Sequence, residues 1–135
     1  MKMELLLKIG GVYNILCAVL HLLFPKLLNW SEVLRLLPVD KLQFIEQPLY
    51  IMNWCLTIFW LMLAYIPLVH TSDLLKPGIG RTLLSSIVIF WIIRILVLQP
   101  VYIGLTDPTS WKLICFFIVG LALFAVPLVN SLRTK

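Results

Sequence analysis

Residues 82–104 read TLLSSIVIFWIIRILVLQPVYIG, and the one charge in these 23 residues is Arg94. A helix rises about 1.5 Å per residue and the hydrocarbon core of a bilayer is about 30 Å thick, so this stretch is long enough to cross it. Three more stretches of the same kind lie at about 4–24, 48–70 and 111–132. With 61% hydrophobic and 13% charged residues and a mean hydropathy of +1.03, the chain has too little polar surface for a soluble domain. The expected fold is all-α: an integral membrane four-helix bundle, one four-span transmembrane domain over residues 1–135, with membrane lipids around it.

The opening MKMELLLK has the basic start of a secretory signal. The apolar run that follows is longer than such signals need, carries Asn14 and His21, and has no small-x-small cleavage site before Pro25. It is read as a retained first span. The net charge of +5 does not point to nucleic acid, because no soluble basic face is available to present it. It sets topology instead. Lys2, Lys8, Lys76, Arg81, Arg133 and Lys135 fall on the side of the termini, six cations against Lys26, Arg35, Lys41 and Lys112, four, on the other. The excess places the termini in the cytoplasm. A bacterial inner membrane is the expected host.

The segment PKLLNWSEVLRLLPVDKLQFIEQP is the one long connection. Asn29 with Glu32, and more weakly Asp40 with Gln43, have capping-box spacing on either side of Pro38, which predicts two short helices at the outer interface. TSDLLKPGIGR carries the Pro-Gly of a turn, and LTDPTSW is so short that spans three and four must be antiparallel neighbours. Trp30, Tyr50, Trp54, Tyr102 and Trp111 fall near the outer boundary, whereas Trp60 and Trp91 lie near mid-membrane. Cys17, Cys55 and Cys115 occupy separate spans without a C-x-x-C, and are read as small buried hydrophobes rather than a disulfide framework.

Polar residues gather in the outer half of the spans. By helical rise, Asn14 and Arg94 lie about 15 Å below the outer edge, Asn53 and Gln99 about 7 Å, and His21 nearer the surface. Asn14, Ala18 and His21 share one face of span one; Asn53, Thr57 and Trp60 share one face of span two. In span three Phe90, Trp91, Arg94 and Leu98 line up, with Gln99 to the side. Span four has no amide or ionisable side chain from Leu113 to Val129, and is expected to support the bundle or to meet a second copy or a partner subunit.

An arginine at the bilayer centre costs about 2.5–3.5 kcal/mol on insertion scales. The apolar residues of span three offset that cost, but Arg94 must still face the interior. No Asp or Glu lies in any span core, so its protein partners are neutral acceptors, aromatic faces and water. Asn14, Asn53 and Thr57 are read first as residues that lock helix packing. Other chemistries lack their residues. His21 falls near the outer edge of the membrane and His70 near the inner edge, which excludes bis-histidine haem ligation. No cluster of His, Cys or carboxylates suits a metal, and no glycine loop has phosphate-cradling spacing.

H-L-L-F-P at 21–25, closing span one, and the arginine within W-I-I-R-I-L-V-L-Q-P at 91–100 resemble the small four-helix membrane proteins grouped as DoxX-like. The resemblance covers the whole chain as architecture. The glycine-rich character of such first helices is limited here to Gly10 and Gly11. It implies an integral membrane bundle, sometimes tied to quinone or redox partners, and transfers no catalytic residue or cofactor.

The residues favour a binding protein with an outward-opening polar cleft. Arg94 is its expected anchor; Asn14, Asn53, Gln99 and His21 its polar groups; Trp60 and Trp91 its walls. The ligand is a lipid head group, a quinone-like carbonyl or another small amphiphile. One alternative is a non-enzymatic accessory or assembly subunit of a membrane complex, with the same residues packing helices. Another is a small membrane enzyme using His21 as an acid or base.

Overall fold

The computed structural model describes the backbone of residues 2–98 and 108–133, and the side chains there apart from those of 40, 43 and 108–110. The fold is all-α. Helix α1 covers Lys2–Leu27, α2 Trp30–Arg35, α3 Val39–Val69, α4 Thr71–Leu74 and α5 Ile79–Ile93. A π-helical segment, Arg94–Leu98, continues α5, and α6 covers Pro108–Arg133. Among the described residues four helices are long and apolar enough to cross a membrane, over Lys2–Leu27, Phe44–Val69, Ile79–Leu98 and Trp111–Arg133. This fits a polytopic membrane protein. Most of each span is unburied although its outward side chains are Leu, Ile, Val and Met, the surface that lipid solvates at no cost.

The connections differ from expectation in two places. Only one separate short helix precedes span two, because the second expected one is the first turn of α3, which runs unbroken through Pro48. Asn29 does not cap with its side chain. It takes the left-handed conformation, φ 48, and its carbonyl accepts from the N–H of Glu32 and Val33 at 3.0 and 3.1 Å. Asparagine is one of the few residues that adopts this conformation readily, so here it turns the chain from α1 into α2. Of the cysteines, Cys17 is buried, but Cys55 and Cys115 are exposed on apolar spans, where a small hydrophobe meets lipid as well as it meets core.

The chain divides into two compact units, residues 12–64 and residues 1–11 with 65–135. In the first, the parts of α1 and α3 present the faces that helical phase indicated: Asn14, Ala18 and His21 are buried on one, Asn53, Thr57 and Trp60 on the other. In the second, α5 and α6 pack closely. A Cβ on Gly120 would lie 2.6 Å from Cη2 of Trp91, so only glycine lets the indole seat there. Trp91 opposite Gly120 and Arg94 opposite Phe117 run in opposite chain directions, which makes these spans antiparallel neighbours. Gly10 serves α1 similarly, admitting the Phe124 ring to within 2.7 Å of where a Cβ would stand.

Candidate functional site

The expected site residues divide between the two units. Asn14, His21, Asn53 and Trp60 belong to residues 12–64, Trp91 and Arg94 to the other unit, and Gln99 lies outside the described residues.

In the first unit, a proline explains the geometry. Pro25 has no N–H, so the carbonyl of His21, four residues earlier in α1, loses its helical donor. Asn53 Nδ2 on α3 donates to that carbonyl at 2.8 Å. This bond identifies the amide's other atom as the oxygen, and it lies 3.3 Å from Nδ1 of His21. The imidazole therefore donates from Nδ1, and when neutral carries its lone pair on Nε2. The ring stacks at 6.2 Å from Trp60 and tilts against Phe24 at 4.6 Å. Both His21 and Asn53 are 7% exposed.

The same device recurs one span-half away. Pro67 has no N–H for the carbonyl of Leu63, and Asn14 Nδ2 donates to it at 2.9 Å. Asn14 is fully buried, and its Oδ1 finds no donor among the described residues. Thr57 Oγ1 donates to the Asn53 carbonyl at 2.9 Å. The amides of both asparagines thus repair helix hydrogen bonds that prolines leave open, a structural task that a bilayer makes obligatory.

In the second unit, Arg94 opens the π-helical segment, and its guanidinium carbon lies 5.0 Å from the centroid of the Phe117 ring. Contacts of this kind are worth about 0.5–2 kcal/mol, rising with desolvation. Trp91, one turn earlier and fully buried, tilts against the same ring at 5.9 Å. Arg94 is thus held on an aromatic floor, at an irregular turn, directly after the apolar α5.

Sequence reasoning found each of these polar residues but missed three relationships. The proline at i+4 from His21 and from Leu63 was a readable signal for which carbonyls need a donor. Phe117 as the ring under Arg94 was signalled by antiparallel pairing of spans three and four at equal depth. A charged cluster at His70, Asp73 and Lys76, spaced i, i+3 and i+6 across a connection, was passed over as a turn. Among the described residues no group of three His, Cys, Asp or Glu side chains gathers to hold a metal ion. Comparison of the chain with models of known protein families, with characterised proteins and with solved structures finds no match.

Proposed function

We propose that this polytopic membrane protein binds a small amphiphile through an anionic or carbonyl oxygen held at Arg94. One observation carries the reading: a permanent cation and a π-helical widening coincide in one turn within a span. Each is costly in a bilayer, and π-turns are frequent at functional sites. The Phe117 ring stabilises the cation, and a planar guanidinium matches a carboxylate, phosphate or quinone-type oxygen. Trp91, locked between α5 and α6 by Gly120, gives the turn a rigid base.

The DoxX-like resemblance is compatible with this reading, and the Lys and Arg balance supports termini on the cytoplasmic side. The test is Arg94→Leu, with thermal unfolding measured in mild detergent with and without native lipid extract. The expected result is a variant at least as stable as the parent whose stabilisation by lipid extract is markedly reduced. Collapse of the fold would mean that Arg94 holds helices together instead, the accessory-subunit reading. An unchanged response to lipid would equally overturn the proposal.

A further inference from the structure

Between α3 and α5 the chain forms a shallow bowl rather than a plain turn. Gly78 adopts φ +88, and Gly80 approaches the Asp73 carbonyl so closely that a Cβ at 80 would overlap it. The backbone of α4 is thereby pressed onto the first turn of α5. The resulting concavity holds about 520 Å³, with Ile66, Leu74, Ile79 and Leu83 along its floor. Ile66 lies in the last turn of one span and Ile79 and Leu83 in the first turns of the next, so the bowl sits where acyl chains meet headgroups.

Its rim is charged in both senses. Lys76 Nζ lies 2.7 Å from Asp73 Oδ1, and His70 Nδ1 lies 3.6 Å from Asp73 Oδ2. The His70 ring meets Tyr65 edge-on at 5.8 Å, which fixes its orientation. Lys76 and Asp73 are 69% and 56% exposed. An ion pair this open contributes little and exchanges its partners readily for others of the same sign.

We propose that the bowl binds one glycerophospholipid whose headgroup carries both a phosphodiester and a primary ammonium, the phosphate at Lys76 and the ammonium at Asp73. One acyl chain lies over Ile66, Leu74, Ile79 and Leu83. Charge complementarity selects this class. An anionic lipid would bring its phosphate to Lys76 and leave that charge beside Asp73 without compensation. A quaternary ammonium headgroup has no N–H to give the carboxylate. A zwitterion with a primary ammonium gives both residues a partner. This site lies in the first turns of α5, about 20 Å along the helix from Arg94, and does not depend on what Arg94 binds.

Native mass spectrometry of the delipidated protein in mild detergent tests it, with phosphatidylethanolamine, phosphatidylglycerol and phosphatidylcholine of identical acyl chains added separately. The expected result is one retained phosphatidylethanolamine, with the other two bound at least about tenfold more weakly. Lys76→Gln, an exposed change, lowers the retained fraction, and Leu83→Trp, which fills the floor, abolishes it. Inorganic phosphate does not displace the lipid. Equal retention of all three lipids, preference for phosphatidylglycerol, displacement by inorganic phosphate, or undiminished binding by Lys76→Gln would each overturn the proposal.

Discussion

Asn53 gives its amide to a carbonyl that Pro25 leaves without a helical donor, and in doing so fixes which ring nitrogen of His21 carries hydrogen. Hydrogen bonds between spans average only about 0.6 kcal/mol because an unfolded chain in lipid finds other partners. A proline-orphaned carbonyl has fewer alternatives, so Asn53→Ala is expected to cost about 1–2 kcal/mol. The Pro25→Ala background restores the missing N–H and should remove most of that cost. Unfolding of the four proteins of this cycle in mixed micelles measures it, and an undiminished cost in the Pro25→Ala background would contradict the repair. Asp73 yields a second prediction at this scale. The hydrogen bond and charge of Lys76, with a smaller contribution from His70, hold its carboxyl below the usual 3.8. The resulting stabilisation is present above the unfolded chain's value and is lost as pH falls through the folded one. The small loss of thermal stability in Lys76→Gln should therefore be seen at neutral pH and shrink below about pH 4. A difference that grew on acidification would contradict it. The sequence made the polar residues of the spans visible by their rarity. Their pairings were hidden because the deciding feature, an N–H absent from a proline, lies one turn away from the group it affects.

At the level of elements, hydropathy was enough to locate all four spans, since length and apolar content are properties of each segment alone. Boundaries were less legible. Helix α3 begins at Val39 and passes through Pro48, because near a span's end the carbonyl that a proline abandons is within reach of water. The α5–α6 contact is where packing decides stability. Gly120→Val places a branched side chain where the Trp91 ring already stands, and overpacking of this kind costs about 1–3 kcal/mol. A drop in thermal stability that is partly recovered by Trp91→Leu in the same chain would confirm the contact; no recovery would refute it. Gly80→Ala should be worse tolerated, because it collides with the Asp73 backbone rather than with the edge of a movable ring.

For the whole molecule, an even number of spans would put both ends of this chain on one side of the membrane, and the proposal that this side is the cytoplasm rests on the Lys and Arg balance. Single cysteines introduced at Lys2 and Arg133 in a chain lacking Cys17, Cys55 and Cys115 should be shielded from a membrane-impermeant maleimide in intact cells. One at Lys41 should react. Labelling at Lys2 would reverse the orientation, and opposite results at Lys2 and Arg133 would refute the span count. Membrane character was legible because it is additive over residues; the chemistry at Arg94 was only partly so, because Phe117 reaches it from a different span. The central claim is that Arg94 holds a ligand rather than the fold. Its most direct test is the shift in unfolding temperature that native lipid extract produces in the parent and in Arg94→Leu. A clear upward shift is expected for the parent and a markedly smaller one, left to the bowl between α3 and α5, for a variant that is otherwise as stable; equal shifts in both proteins would contradict it.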